Sequence, residues 1–365
     1  MRLRCRWIFP AMEENLKINQ YMFDSTQRLA IYMEGALDND SGKMGFGLMR
    51  FSKHPIVCVI DSNYAGKTVE EAVGLPYSTP VVASVDDAIA LKSQILVLGI
   101  APSGGRFPAE WDTPISHALK NGLSLINGLH DDLNARFGHL LTNNRIWDVR
   151  KPAYSYPIAK AKAAELTNKR ILMIGTDMAA GKMTAGLELY AALQEKGVNV
   201  GFVPTGQIGI TLMGNGIPLD AIKVDQAAGA VEQAVLEQSD KDIVIIEGQG
   251  SLAHPGSTAT LPLIRGGQPT HMILCHKAAH THLRYPVSHV EIPPLDEFIQ
   301  LNENVARVCG SLQAAKTIAV ALNTVGLDRE KAIATIKDIE KLTALPATDV
   351  VLMGPDKLVT AVLQN

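Results

Sequence analysis

A glycine-rich turn that ends in a lysine lies near the middle of the chain. Residues 171–190 read ILMIGTDMAAGKMTAGLELY, where an apolar run ends at Gly175 and Gly181-Lys182 opens a stretch of good helix formers. This order typically builds an anion cradle, because backbone N–H groups and the positive helix end face the phosphates and the lysine adds a point charge. The sequence therefore predicts a phosphate-binding loop formed by Gly175, Thr176, Ala180, Gly181, Lys182, Met183 and Thr184.

The loop departs from the standard P-loop at one position. A standard P-loop has Ser or Thr directly after the lysine, where the hydroxyl holds Mg²⁺. Here Met183 follows Lys182, and the hydroxyl comes one residue later, at Thr184. Because one helical step turns a side chain by about 100°, Thr184 is predicted not to reach the usual metal position. The pattern favours a phosphate-binding loop that no longer serves ATP hydrolysis.

Two carboxylates are the candidate acid–base groups. Glu247 follows the apolar strand DIVII, at the kind of strand end where ligands bind in open α/β sheets. Partial burial would raise its pKa toward neutrality, which suits a general base for an incoming ammonium group. Metal binding and a purely structural role are the alternatives for Glu247. Asp177 lies inside the loop, where it can accept a proton, orient Lys182 or cap the next turn. We predict that Glu247, Asp177 and Lys182 are the catalytic residues.

Residues at the ends of neighbouring strands are candidate substrate contacts. Thr205 and Gln207 follow a predicted strand and suit hydrogen bonds to a substrate, and Gly248 lets a ligand approach the backbone closely. All three are expected at the same sheet edge as Glu247, because ligands bind outside the carboxyl ends of parallel strands.

Basic side chains follow the strand HMILC. His276 and His280 would share one face of a helix and could then bind a metal, but no third ligand is evident and no HExxH occurs. Arg284, backed by a histidine, could instead bind a substrate carboxylate through a bidentate fork. A solvated loop is the third alternative. We predict substrate binding by His276 and Arg284, and no metal site.

The bulk composition is that of a globular protein with about two domains. The 365 residues are 47% hydrophobic and 19% charged, with a net charge of −3. Such a balance gives no basic field for nucleic acid or an anionic membrane, so small-molecule substrates are expected. The four cysteines form no CxxC pair and no apolar run reaches transmembrane length, which predicts reduced thiols and a cytoplasmic location. Parallel sheets with modest net charge also favour a homo-oligomer.

Apolar strand-like runs alternate with helix-like segments, which is typical of parallel α/β sheets. The predicted strands cover residues 29–35, 55–61, 81–84, 94–100, 124–127, 170–175, 200–206, 242–248, 271–275, 317–324 and 349–354. Helices are predicted to start near Lys43, Asp86 and Glu110, and one to run over 295–308. The predicted organisation is a poorly ordered leader, a first domain, a linker with a helix-like part, and a second domain, over residues 1–24, 25–150, 151–168 and 169–365.

Two aspartates follow in the second half of the chain. Asp225 precedes the helix-like stretch DQAAGAVEQAVLEQ and is predicted to be its N-cap. For Asp220 the sequence offers no decisive argument.

One ten-residue segment occurs twice in similar form. Residues 42–51 read GKMGFGLMRF and residues 181–190 read GKMTAGLELY, with five identical positions. Each follows an apolar strand that ends in glycine, at Gly35 and Gly175. Chance is one explanation, and two domains with a shared loop architecture are the other. Asp61 ends the second predicted strand, where an acid can meet a ribose, but without GxGxxG a structural Rossmann-like domain is favoured over a second cofactor site.

Several motifs together resemble one known family. GTDMAAGKMT is similar to the loop of dethiobiotin synthetase-like P-loop proteins. The series GTDMAAGKMTAGLEL, PTGQIGI, IIEGQGSL, LCHKAAHTHLR, IPPLDEF and ALNT more closely resembles a family long catalogued as a domain of unknown function, number 1611. This resemblance covers about residues 25–365. It implies an α/β fold with an N-terminal Rossmann-like domain and a C-terminal P-loop NTPase-like domain, both with mainly parallel sheets.

The resemblance also implies an activity, because some members of that family are described as D-glutamate N-acetyltransferases that use acetyl-CoA. The loop would then hold the coenzyme A phosphates, Asn323 and Thr324 would meet the adenine, and Glu247 would deprotonate the amine. Acyl transfer to an amine needs no Mg²⁺, so the displaced hydroxyl is compatible with it. One alternative is an ATP- and Mg²⁺-dependent carboxylate-activating enzyme or kinase of the dethiobiotin synthetase type, with Asp177 and Glu247 near the metal. The other is a non-catalytic nucleotide-binding protein.

Overall fold

The structure, a computed structural model of the chain, describes residues 23–102, 104–152, 155–308 and 314–365. Residues 1–22 of the predicted leader lie outside these ranges. The described chain forms two six-stranded sheets in which every strand pairing is parallel. Both faces of each sheet are buried, which explains why the strands are nearly continuous apolar runs.

The first sheet has the strand order β3-β2-β1-β4-β5-β6. Its strands are β1 (Leu29–Tyr32), β2 (Ile56–Ile60), β3 (Val81–Val82), β4 (Ile95–Leu98), β5 (Ser124–Asn127) and β6 (Ile146–Asp148). Its helices are α1 (Lys43–Phe51), α2 (Val69–Val73), α3 (Val85–Ala90), α4 (Asp112–Lys120) and α5 (Leu133–Phe137). This strand order is that of a Rossmann fold, so the predicted Rossmann-like domain is confirmed. Sequence reasoning missed β6, a three-residue strand in a stretch without periodicity.

The second sheet has the order β12-β11-β10-β7-β9-β8. Its strands are β7 (Lys169–Gly175), β8 (Val200–Val203), β9 (Ile243–Ile246), β10 (His271–Lys277), β11 (Lys316–Asn323) and β12 (Ala347–Thr348). Its helices are α6 (Lys182–Glu195), α7 (Gln207–Met213), α8 (Val224–Leu236), α9 (Thr260–Gly267), α10 (Leu295–Val308), α11 (Arg329–Thr343) and α12 (Asp356–Gln364). The predicted helix over 295–308 is therefore confirmed. None of the helices among the described residues is both long and apolar enough to span a bilayer.

Three local secondary-structure predictions are wrong: the strand over 349–354, the N-cap at Asp225 and the helix-like part of the linker. The segment 349–354 is not a strand, since Asp349 Oδ1 accepts the N–H groups of Val351 and Leu352 at 2.8 and 3.1 Å and turns the chain. Asp225 is not an N-cap, because α8 begins one residue earlier, at Val224. The N-cap residue is Lys223, whose side chain makes no capping hydrogen bond.

The helix-like part of the linker forms only a 3₁₀ turn at Lys162–Glu165. The buried carboxylate of Glu232 accepts the N–H groups of Lys160 and Lys162 at 2.9 and 2.7 Å, and Ala161 between them has a φ of +58°. These contacts fix a non-helical backbone despite good helix formers in the sequence.

Asp61 is fully buried at the end of β2 and holds the backbone of its own domain. Its Oδ2 accepts from Leu37 N at 3.2 Å and its Oδ1 from Asn63 N at 3.1 Å. Both oxygens are thus engaged by main-chain donors, in keeping with the structural role favoured from the sequence.

The two domains meet where α1 packs on α7. Gly47 of α1 faces this contact, and a Cβ added there would lie 2.6 Å from Ile208 Cγ2 and 3.7 Å from Met183 Cε. On the outer side of the contact, Arg50 of α1 forms an ion pair of 2.7 Å with Glu188 of α6. Helix α1 therefore lies across the starts of α6 and α7, which are the elements that follow the phosphate-binding loop and β8.

Replacing Gly47 with alanine is expected to lower the melting temperature. Alanine favours a helix over glycine by about 1 kcal/mol, but overpacking at Ile208 costs roughly 1–3 kcal/mol. Thermal unfolding of Gly47→Ala tests this, with Gly138→Ala as the control, because a Cβ at Gly138 meets nothing within 4 Å. If Gly47→Ala melts at or above the wild-type temperature, the described packing of α1 on α7 is wrong.

Candidate active site

The predicted phosphate-binding loop joins β7 to α6. Gly181, at the helix start, has a φ of +103°, a backbone conformation that favours glycine. Lys182 is 4% exposed, and its Nζ donates to the carbonyl oxygens of Asp177 at 2.7 Å and Met178 at 3.3 Å. Burial lowers the pKa of Lys182 to about 8. The Lys182 side chain thus packs against the main chain of the loop, where its ammonium group can contact a bound ligand.

Two glycines make the space that the Lys182 side chain occupies. A Cβ at Gly175 would lie 2.9 Å from Lys182 Nζ, and a Cβ at Gly248 would lie 2.8 Å from Lys182 Cδ and overlap the carbonyl oxygen of Met173. Gly248 was predicted to allow a close approach of a ligand. In the structure the backbone of β7 and the lysine stem make that close approach.

Asp177 connects the loop to the segment that follows β10. Its Oδ1 accepts from Met178 N at 2.6 Å, and its Oδ2 accepts from the main-chain N of Arg284 at 3.0 Å. Its carbonyl oxygen accepts from Lys182 Nζ. Each carboxylate oxygen therefore has a backbone donor, and the side chain holds the loop in place and orients Lys182 through the main chain.

Glu247 follows β9 and is 3% exposed. Its Oε2 accepts the N–H groups of Thr205 at 2.8 Å and Gly206 at 3.1 Å, at the start of α7. Burial raises the pKa of Glu247 to about 7, although these two hydrogen bonds and the charge of Lys182 act in the opposite direction. Within the described chain its Oε1 has no hydrogen-bond partner. Glu247 is therefore a carboxyl group that can exchange a proton near neutral pH.

The residues that follow β8 surround this carboxyl group. The hydroxyl of Thr205 donates to the carbonyl oxygen of Glu247 at 2.9 Å, and a Cβ on Gly209 would overlap Glu247 Oε2. Gln207 is half-buried, and its Cγ lies 3.3 Å from the position of a Cβ on Gly128 in the first domain. The structure thus brings Thr205 to Glu247 and places Gln207 at the domain boundary.

His276 lies next to the loop rather than on a helix. It is the penultimate residue of β10, so the helical spacing considered for His276 and His280 does not apply. Its Nδ1 lies 2.9 Å from the hydroxyl of buried Thr176, and burial, aided by His280, lowers its pKa to about 4. His276 is therefore a neutral imidazole that fixes Thr176. Across the chain as described, there is no group of three His, Cys, Asp or Glu side chains suited to a metal ion.

Ser251 is a site residue that was not singled out from the sequence. It is 1% exposed, and its hydroxyl donates to the carbonyl oxygen of Thr176 at 3.0 Å. It lies in the motif IIEGQGSL, four residues after Glu247, so only the shared motif gave a signal for it. Ser251 thus contacts the main-chain carbonyl of Thr176, and His276 contacts its side-chain hydroxyl.

Met183 occupies the position where a P-loop normally has its metal-binding hydroxyl. It lies against α1 at Gly47, as described above, so this position is used for packing between the domains. Ala180 is buried, and Thr184 is half-buried one residue further along α6.

Asn323 and Thr324 lie at the same sheet edge. A Cβ on Gly181 would lie 3.8 Å from Asn323 Cβ, so Asn323 borders the loop. Thr324 is buried, and its N and Oγ1 donate to Asp349 Oδ2 at 2.9 and 2.5 Å. Asp349, which sequence reasoning placed in a strand, thus joins the ends of β11 and β12 beside the loop.

Arg284 and Asp220 form ion pairs between the domains. The guanidinium of Arg284 contacts the carboxylate of Asp40, which precedes α1, and Asp220 contacts Arg150. Arg284 therefore reaches the boundary between the domains, next to the loop that its main chain joins through Asp177.

Comparison with known proteins gives consistent matches over most of the chain. Residues 157–359 match a P-loop domain described as a domain of unknown function, DUF1611_C, and residues 62–152 match the Rossmann-like domain DUF1611_N. A D-glutamate N-acetyltransferase from Tritonibacter scottomollicae is 35% identical over 283 residues, which are 76% of this chain and 84% of that protein. Another, from Pseudoalteromonas sp., is 30% identical over 335 residues, which are 90% of this chain and 96% of that protein.

A solved structure matches as well. The crystal structure of a DUF1611 family protein from Anabaena variabilis is 46% identical and superposes with a TM-score of 0.89, covering 93% of this chain and 100% of that one. The two-domain architecture described above is thus also that of an experimental structure.

Proposed function

The chain belongs to the DUF1611 family and is an enzyme, and from that premise we propose that it transfers the acetyl group of acetyl-CoA to the amine of D-glutamate. Two relatives that match most of its length are named for N-acetylation of D-glutamate. The observation in the site that carries the proposal is the placement of Glu247, with a pKa of about 7, beside an anion cradle. A base for an amine and a cradle for phosphates are the two parts that this reaction needs.

The cradle suits coenzyme A, which carries a diphosphate and a 3′-phosphate. Backbone N–H groups of the loop and the positive start of α6 favour phosphate oxygens. Lys182 Nζ makes its present bonds to loop carbonyl oxygens, and one of its donors stays available for a phosphate. In this proposal the loop anchors the donor and places its thioester at the sheet edge beside Glu247.

Acetyl transfer then follows from the position of the base. Glu247 accepts a proton from the ammonium group of the acceptor, and the free amine attacks the thioester carbon. N–H donors of the site stabilise the negative charge that develops on the carbonyl oxygen. When the tetrahedral intermediate collapses, the C–S bond breaks, coenzyme A leaves as the thiol with the second amine proton, and the amide product forms.

An ATP- and Mg²⁺-dependent reaction has less support in this geometry. Met183 replaces the metal-binding hydroxyl and packs on the first domain, and both carboxylate oxygens of Asp177 accept main-chain hydrogen bonds. The residue at the usual metal position and Asp177 are thus engaged in other contacts, which leaves Glu247 Oε1 as the one carboxylate oxygen of this pair without a hydrogen-bond partner among the described residues.

Ligand-dependent melting tests the proposal without an assay of turnover. A ligand that binds the folded state raises the melting temperature. Coenzyme A and acetyl-CoA are expected to raise it equally with Mg²⁺ and with EDTA, and ATP is expected to have the smaller effect. Stabilisation by ATP alone, and only when Mg²⁺ is present, would contradict the proposed use of acetyl-CoA.

A further inference from the structure

We propose that the two carboxylates of the acceptor are bound between the domains, by Lys43 of the first domain and Lys277 of the second. The proposal rests on the proposed function, since it concerns the acceptor of that reaction. Lys43 is the first residue of α1 and Lys277 the last residue of β10.

The boundary between the domains is continuous with the phosphate-binding loop. The guanidinium of Arg284 contacts the Asp40 carboxylate across the boundary. The main-chain N of Arg284 donates to Asp177 Oδ2 at 3.0 Å, and the carbonyl oxygen of Asp177 accepts from Lys182 Nζ at 2.7 Å. Direct contacts thus connect Asp40, three residues before Lys43, to the lysine of the loop.

Several positively charged side chains act on Asp40 at the boundary between the domains. The guanidinium of Arg284 contacts the Asp40 carboxylate, and its hydrogen bond, with smaller contributions from the charges of Lys43 and Lys277, lowers the pKa of Asp40. His280 lies in the same group, because its N donates to the Lys277 carbonyl oxygen at 3.0 Å. Burial, and to a smaller extent Lys277 and Arg284, lower the pKa of His280.

Two of the cations at the boundary between the domains have no partner among the described residues. Asp40 is paired with Arg284, and Asp177 is the carboxylate next to Lys182. Among the described residues, the ammonium groups of Lys43 and Lys277 have no hydrogen-bond or ion-pair partner. A dicarboxylate amino acid would supply one carboxylate to each of these two lysines, one from each domain.

The repeated Gly-Lys segment supports the same assignment. Gly42, at the position that corresponds to Gly181, has a φ of −74° rather than +103°, so the turn before Lys43 differs from that of the phosphate-binding loop. Lys43 is exposed at the start of α1, three residues after Asp40, which contacts Arg284 of the second domain. In this proposal Lys43 serves the site of the second domain.

The test is steady-state kinetics of Lys43→Met and Lys277→Met in the full chain. We expect the KM for D-glutamate to rise at least tenfold in each variant, with the KM for acetyl-CoA unchanged, and Lys43→Arg to restore most of the loss. Preference for D-glutamate over D-glutamine should fall in at least one variant, since D-glutamine lacks the second carboxylate. Lys53→Met is the control, because Lys53 is exposed beyond the end of α1.

The outcomes separate this proposal from the proposed function. A rise in the KM for acetyl-CoA instead would assign the lysines to a phosphate of the donor and overturn the proposal, as would unchanged constants in both variants. If the wild-type protein acetylates no amine, calorimetric binding of D-glutamate in the presence of coenzyme A decides. If the wild-type protein binds D-glutamate and Lys43→Met does not, the lysine site is supported although the proposed function fails. If the wild-type protein does not bind D-glutamate, both the lysine site and the proposed function are overturned.

Discussion

Replacing Glu247 with glutamine is expected to lower kcat by about a thousandfold, within the range for loss of a general base, while acetyl-CoA still binds. Glutamine has the same shape, and its side-chain oxygen can still accept from Thr205 N and Gly206 N, so the start of α7 is kept. The loss therefore concerns proton transfer rather than folding. Initial rates at saturating substrates, with the dissociation constant of acetyl-CoA measured separately, provide the test.

The pH dependence of the same variant adds a second test. Because the pKa of Glu247 in the protein without ligands is about 7, kcat/KM of the wild type should fall about tenfold per pH unit below it, and the glutamine variant should lose this dependence. Glu237→Gln is the control, since Glu237 is an exposed glutamate at the end of α8. Comparable losses in both variants, or full activity in Glu247→Gln, would rule out Glu247 as the base.

The raised pKa also predicts the sign of a stability effect. A carboxyl whose pKa rises on folding binds its proton more tightly in the folded state, so it lowers stability as the pH rises from 4.5 to about 7. Glutamine has no such ionisation. The melting temperature of Glu247→Gln relative to wild type should therefore be higher at pH 8 than at pH 4.5.

Replacing Lys182 with methionine is expected to weaken acetyl-CoA binding about a hundredfold, since hydrogen bonds to charged groups contribute about 1.5–3 kcal/mol each. A methionine side chain can fill most of the space beside Gly175 and Gly248 that the Lys182 side chain occupies, but it carries no positive charge. Calorimetric titration with acetyl-CoA measures the loss. Lys196→Met, at the exposed end of the same helix, is the control.

The outcome that contradicts this role of Lys182 is equal affinity in Lys182→Met and wild type. Affinity should also decrease as the pH rises above about 8, because the lysine then loses its proton. Both measurements are independent of which residue acts as the base.

The strands and the phosphate-binding loop could be predicted because their signals are local. A buried parallel strand is a continuous apolar run, and β7, the glycine loop and α6 follow one another directly in the sequence. The family resemblance added the order of the domains. Local patterns failed where a distant group decides the backbone, as at the linker, where Glu232 holds Lys160 and Lys162.

The contacts between the domains could not be predicted, because they join residues far apart in the chain. Arg284 meets Asp40 across 244 positions, and Met183 packs against Gly47. The sequence showed that Met183 was unusual but not what it contacts. Likewise, Asp177 and Thr205 were predicted as polar site residues, and only the structure shows that their side chains hold the backbone around Lys182 and Glu247.

The most direct test of acetyl transfer is mass spectrometry of a reaction with purified full-length protein. Acetyl-CoA with a deuterated acetyl group and D-glutamate would be incubated in EDTA, without ATP. The proposed function predicts a product heavier than D-glutamate by one labelled acetyl group in place of a proton, formed in step with free coenzyme A. Recovery of all D-glutamate without any labelled amide after incubation with folded protein, or product formed only with ATP and Mg²⁺, would contradict it.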